Sequence, residues 1–168
     1  LVNETASHPL CGEVQILPAT FVDPDMASGV VMSVPAHAPY DYVALRDLQV
    51  KGEYAGITAI PLIGVDGYGE IPAKDAVERA GITDQTDNRL EAVTQELYGN
   101  EFSRGKLFDR FGGRSVRESR DTVAETMIAE YDSAVMYEFD TRPVVCRCGS
   151  RVYVKILHDQ WFLQYSDP

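Results

Sequence analysis

No apolar run in the 168 residues approaches the roughly 18 that a membrane-spanning helix requires. Nor does the N-terminus show the basic, apolar and small-residue order of a secretory leader. Both absences point to a cytoplasmic protein with no membrane partner. Basic charge is scarce as well. Fifteen Lys and Arg face 26 Asp and Glu, for a formal net charge of −11. A broad nucleic-acid footprint needs a clustered basic face, so DNA is excluded as a partner. Grip on a single RNA end through shape, stacking and a few hydrogen bonds is still allowed. There are only three cysteines, Cys11, Cys146 and Cys148. An odd number with a Cys-x-Cys pair suits a reducing compartment rather than a disulfide framework. With His8 or His158 they could hold zinc. However, Cys-x-Cys lacks the usual ligand gap and no second pair follows, so packed or partly exposed thiols are the expectation. The glycines between Gly52 and Gly69 have the wrong spacing for a dinucleotide fingerprint. No repeat, linker or low-complexity stretch breaks the chain, which reads as a single domain over 1–168.

What is present is an ordinary globular composition, 45% hydrophobic and 24% charged, enough to build a core. Val14–Leu17 reads as a strand bent by Pro18, and Asp23-Pro24-Asp25 as a turn. Gly29–Val34 predicts a second strand, with Met32 and Val34 on one face and Val31 and Ser33 on the other. Pro35 and Pro39 end its ladder, and a helix over Asp41–Leu48 follows with Asp41 at the N-cap. Ile57–Ile63 predicts a strand leading into a tight turn. Pro72–Arg79 predicts a short helix stopped by Gly81. Over 87–104 the residues Leu90, Val93, Leu97 and Phe102 predict one apolar helical stripe. Ser115 and Glu118 form a capping box for a helix to Tyr131 that offers Val116, Val123, Met127 and Ile128 to the core. Strands are expected over 134–139, over 143–148 and 151–157 as a hairpin around Gly149-Ser150, and over 160–165.

Chemistry concentrates where the second strand gives way to prolines. The stretch Ser28-Gly-Val-Val-Met-Ser-Val-Pro-Ala-His37-Ala-Pro-Tyr-Asp41-Tyr42 places an imidazole and a carboxylate on a Pro-punctuated turn. Local pattern alone makes Asp41 a helix cap and His37 a hydrogen-bonded loop histidine.

The segment from Gly29 to Leu48 resembles the signature of the editing domain of leucyl-tRNA synthetases of the archaeal and eukaryotic type. Three further stretches agree in order: Ile16–Asp25, Ala134–Glu138, and Val145-Cys-Arg-Cys-Gly149 leading into Asp159–Tyr165. The resemblance implies a mixed α/β fold, a β-barrel ringed by helices and inserted through a connective peptide, with the strands of about 143–168 leading back toward the catalytic domain. It implies hydrolysis of leucine tRNA mischarged with norvaline, isoleucine or similar amino acids. A second step is needed because one methylene is worth only ~1–3 kcal/mol of discrimination. Asp41 then anchors the α-ammonium group of the misplaced amino acid, with His37 as the accessory catalytic residue. Met32 and Val34 line the amino-acid pocket, and Ser28, Gly29, Ser33 and Tyr40 complete the substrate-binding set. Editing needs no cofactor or metal. ATP serves the catalytic domain of the parent enzyme, whose remaining chain and the tRNA 3′ end are the expected partners.

This sequence departs from the family pattern at Ala38, where bacterial members have a second aspartate, and at Ala27-Ser28, where many have Gly-Thr. The threonine-rich wall that faces the aspartate has no counterpart in residues 1–28, so half of a pocket is expected here. The alternatives are an isoleucyl or valyl editing domain, a non-catalytic RNA-binding insert, and more distantly an acidic metal-binding protein. The first usually carries Cys-Trp-Arg where this chain has Cys146-Arg147-Cys148.

Overall fold

A computed structural model describes residues 1–8, 12–24, 29–108, 112–137, 139, 144–161 and 163. They fall in two compact units, Leu1–Thr126 and Met127–Pro168. The first unit opens with a hairpin, β1 (Thr5–His8) antiparallel to β2 (Gly12–Gln15), in register from Thr5↔Gln15 to His8↔Gly12. The polar opening therefore supplies a strand. Its side chains are mostly exposed, as an antiparallel pair in water allows.

Three helices carry the core of this unit. α1 runs Pro39–Val50. It starts two residues before the expected N-cap, because proline fits the first helical position and its missing N–H costs nothing there. Ala38 takes the cap position with no side-chain bond, and Asp41 lies inside the first turn. α2, Pro72–Ala80, follows the sequence reading closely. It begins on Pro72 and ends on Gly81, whose φ of 63° is the left-handed stop that glycine tolerates best. α3 runs Leu90–Arg104. The Arg89 guanidinium donates to the Ala80 carbonyl at 2.7 Å and the Gly81 carbonyl at 3.1 Å, tying the end of α2 to the start of α3. Val43, Val77, Ile82 and Leu90 form one buried cluster. Ala73, Ala76 and Leu97 form the next, and Tyr42 and Val93 pack on both. The expected stripe on α3 holds at Leu90, Val93 and Leu97 but not at Phe102, which is 38% exposed. Glu101 is only 5% exposed in its place. Steps of four and three from Leu90 through Thr94 and Leu97 lead to 101, not 102.

The strand content is smaller than expected. β3 is only Ile63–Gly64, paired antiparallel with β4, Lys106–Leu107. Among the described residues, 29–34 join no sheet and Val30, Val31 and Met32 are exposed, so the expected two-faced alternation is absent. An apolar β-pattern becomes a strand only where another strand satisfies its backbone. α4, Val116–Glu130, has the capping box as expected. Glu118 N–H donates to Ser115 Oγ at 3.2 Å, and Ser115 N–H returns to the Glu118 carboxylate at 3.2 Å. Its expected core residues are not buried. Val123 and Ile128 are exposed, and Ser119 is the buried residue of the helix.

The second unit holds a tight turn at Cys146–Gly149, closed by Gly149 N–H to the Cys146 carbonyl at 2.9 Å, with Val145 bridged antiparallel to Arg151. The hairpin expected around Gly149-Ser150 is thus present as one bridge and two flanking bonds. The described residues of 134–139 and 160–163 form no strand, while Glu138 and the turn at 140–143 lie outside the described residues. The fold is mixed α/β. Its two sheets are two-stranded, and among the described residues no barrel closes. No described helix is long and apolar enough to cross a membrane.

Candidate functional site

The Pro35–Pro39 interval forms a tight turn on which four segments converge. His37 N–H and Ala38 N–H both donate to the Val34 carbonyl at 2.9 Å, closing the turn on itself. The Ala36 carbonyl accepts from Ala73 N–H at 3.0 Å, which fixes the turn to the start of α2. Ala36, His37, Ala38 and Pro39 are all buried. The small side chains at 36 and 38 let the backbone lie close beneath α2.

Asp41 projects from the first turn of α1 back over this loop. Its Oδ2 accepts the Val34 N–H at 2.6 Å, a short bond of the charge-assisted kind. Asp41 is 8% exposed. Burial pushes its carboxyl above the usual 3.8, while the Val34 amide and the Ser33 hydroxyl pull the other way. A carboxylate has about four lone-pair positions. With Val34 and Ser33 as its donors among the described residues, acceptor capacity is left for a cationic ligand. The position inside a helix N-terminal turn also favours the anionic form.

His37 is held on both sides. Nδ1 lies 2.7 Å from Glu101 Oε1 on α3. Nε2 accepts the Leu62 N–H at 2.9 Å, with Ile63 N–H next at 3.4 Å. In this geometry neither ring nitrogen is open to a substrate.

The other expected site residues are scattered by comparison. Gly29 has φ of 67°, and a Cβ there would come 2.6 Å from the Pro24 carbonyl oxygen, so the backbone requires glycine. Met32 and Ser33 are exposed and Val34 is half-buried, all on the segment entering the turn. The Ser33 hydroxyl reaches Asp41. Tyr40 faces away toward the core cluster, its ring 5.5 Å from that of Phe21, and burial followed by the Glu91 carboxylate raises its phenol. Ser28 lies outside the described residues. One residue of α3 joins the site without having been singled out, Glu101. The Tyr98 phenol is raised by burial first and then by Asp41 and Glu101. The signal for Glu101 was a charge standing in an apolar helical stripe.

No protein-family model matches the chain. Curated relatives do. A leucine–tRNA ligase of Pyrobaculum islandicum is 44% identical, covering 99% of this chain and 20% of its own length. One of Methanothrix thermoacetophila is 46% identical, covering 100% and 19%. The chain belongs to the leucine–tRNA ligases. It spans about a fifth of the length of the curated relatives it matches. Solved structures add the fold of this leucine–tRNA ligase segment. GlLeuRS-CP1 aligns with a TM-score of 0.66 at 22% identity, covering 76% of this chain and 55% of that one. The editing domain of the P. knowlesi cytosolic leucyl-tRNA synthetase aligns at 0.59 and 22%, covering 67% and 43%. These relatives do not favour the isoleucyl and valyl alternative.

Proposed function

We propose that this leucine–tRNA ligase segment takes part in hydrolytic editing, the deacylation of leucine tRNA carrying norvaline, isoleucine or a similar amino acid. The observation that carries the reading is Asp41, a nearly buried carboxylate with spare acceptor capacity at the head of α1. In this reading its oxygen pairs with the α-ammonium group of the misplaced amino acid, a contact with geometric as well as electrostatic selectivity. Pairing with a cation draws the carboxyl back toward its ionised form. The ammonium anchor places the ester carbonyl for attack by a water. The tetrahedral oxyanion then collapses with cleavage of the ester C–O bond, and the proton given up by the attacking water passes to the leaving oxygen, releasing the free amino acid and the terminal ribose hydroxyl. Orientation and oxyanion stabilisation can supply most of such a rate without a strong general base. Met32 and Val34 serve as the pocket side of the entering segment. His37 is assigned a holding role instead of proton transfer, since both of its nitrogens are engaged.

The hydrolysis needs no cofactor, and ATP belongs to the ligation step of the parent enzyme. The closed barrel, the tRNA 3′ end as ligand and a cytoplasmic setting belong to this same proposal. The test is deacylation of norvaline- and isoleucine-charged leucine tRNA by the ligase that carries this segment and by the segment itself. Loss of turnover in Asp41→Ala supports the reading, and full activity in that variant sinks it. Turnover of mischarged isoleucine tRNA but not of leucine tRNA would favour the isoleucyl relative instead. Binding of the tRNA 3′ end with no hydrolysis by the carrying ligase would favour a non-catalytic insert.

A further inference from the structure

Glu101 is an acid where the helix pattern calls for an apolar residue. It is 5% exposed on the face of α3 that also carries Leu90 and Leu97. A carboxylate buried there is costly unless it is hydrogen-bonded, and its partner is the His37 ring at 2.7 Å. The other side of that ring decides where its proton sits. Nε2 faces the Leu62 N–H at 2.9 Å, and a backbone amide can only donate. Nε2 must therefore be bare, and the ring proton lies on Nδ1, pointing at Glu101. The opposite tautomer would set donor against donor at Leu62 and lone pair against carboxylate at Glu101.

The bonds do not stop at the ring. His37 N–H donates to the Val34 carbonyl, and Val34 N–H donates to Asp41 Oδ2 at 2.6 Å. Three hydrogen bonds, joined through the covalent frames of His37 and Val34, thus link α3 through the turn to the Asp41 carboxylate. Glu101 has little freedom to retreat from it. The C-terminal end of α3 is seated against β3 at Gly105, where an added Cβ would overlap the Glu101 carbonyl and lie 2.8 Å from Ile63 Cγ2. The imidazole is the point where α3, the residues entering β3 and the turn ahead of α1 meet.

We propose that Glu101 is a positioning residue for deacylation: it accepts the Nδ1–H that the Leu62 amide imposes on His37, and the ring held from both sides clamps the turn that aims Asp41. The role rests on the reading of Asp41 given above. Glu101 acts through His37 and touches no substrate.

The experiment pairs histidine ¹⁵N–¹H spectra of the chain with steady-state deacylation by the carrying ligase, for the unaltered protein, Glu101→Ala and Glu101→Gln. In the unaltered chain His37 should show a protonated Nδ1 and a bare Nε2. Glu101→Ala should free the ring from the Leu62 amide, so that the tautomers mix and kcat/KM falls by roughly 10- to 100-fold, the scale of a misplaced reacting group. Glu101→Gln keeps an acceptor oxygen at the same reach, so it should keep the tautomer and most of the activity, and it serves if Glu101→Ala fails to fold. An unchanged tautomer or unchanged turnover in Glu101→Ala overturns the proposal. So does a Glu101→Gln protein that keeps the tautomer and loses activity. If the unaltered ligase deacylates nothing, or Asp41→Ala retains full turnover, the editing reading itself fails. The spectra still report on the clamp in that case, so the two failures are distinguishable.

Discussion

Replacing Asp41 by Asn or Ala separates what the carboxylate does for folding from what it does for a ligand. The ionised side chain is buried, and the direction of its shift says that burial outweighs the two hydrogen bonds it accepts. A raised folded-state value means that stability is fully present below 3.8 and is lost as pH rises through the folded-state value. Asp41→Asn keeps an acceptor for Val34 N–H, sheds the charge, and turns its amide toward the Ser33 hydroxyl. The Asn protein should therefore match the unaltered chain below 3.8 and become the more stable of the two as pH rises above it. Asp41→Ala removes the acceptor and leaves the half-buried Val34 N–H without a partner. That places it about 1–2 kcal/mol below Asp41→Asn, the lower part of the range for an unsatisfied buried donor. Function should move the other way. Loss of a charge-assisted bond worth about 1.5–3 kcal/mol corresponds to roughly a 10- to 150-fold loss in kcat/KM for Asn as well as Ala. Urea unfolding followed by far-UV circular dichroism is the suitable assay, because Trp161 is 99% exposed and its fluorescence would change little on unfolding. Equal stability of the Asn and Ala proteins would refute the Val34 bond. An Asn advantage that persists below 3.8 would refute burial as the cause of the shift.

Leu97→Ala should cost about 3–5 kcal/mol, because Leu97 is fully buried against Ala73 and Ala76, which are too small to fill the cavity. Phe102→Ala should cost under about 1 kcal/mol, the ring being 38% exposed with Arg117 stacked at 5.2 Å. Urea midpoints that reverse this order would restore Phe102 to the core. Gly105→Ala should destabilise by about 1–3 kcal/mol through its overlap with α3, whereas Gly56→Ala, with nothing within 4 Å, should be close to neutral in thermal melts. Hydrogen bonds from the Ser150 hydroxyl and amide hold the exposed Cys148 thiol down at about 7. Alkylation by iodoacetamide should be half-maximal near that pH and shift upward in Ser150→Ala. A midpoint that ignores Ser150 would remove that cause.

Helices and their ends were legible because their signals are local. Pro72 and Gly81 bracket α2, Ser115 and Glu118 cap α4, and Leu90 and Leu97 mark the inner face of α3 from spacing alone. The start of α1 was misplaced because aspartate is a good cap in isolation, whereas Pro39 had already committed the backbone to helix. Strands were less legible. Residues 29–34 and 134–137 carry β-type residues, but a strand is a relation between two segments, and the pattern of one does not show whether another lies beside it. The barrel implied by family resemblance is a relation of the same kind.

The turn at 34–38 combines both sorts of information. Chain order by itself determined that an imidazole and a carboxylate stand four residues apart on a proline-bounded turn, and four motifs in sequence were enough to suggest the family. Only the tertiary structure decided which neighbours each group meets. It spends both nitrogens of His37 on Glu101 and Leu62, leaves Asp41 nearly buried with acceptor capacity to spare, and brings an acid 64 residues away into hydrogen-bond reach of the ring. The physical reason is that protonation and hydrogen-bond capacity depend on the neighbours a side chain meets in space, and those neighbours come from α3 and β3, far away in sequence.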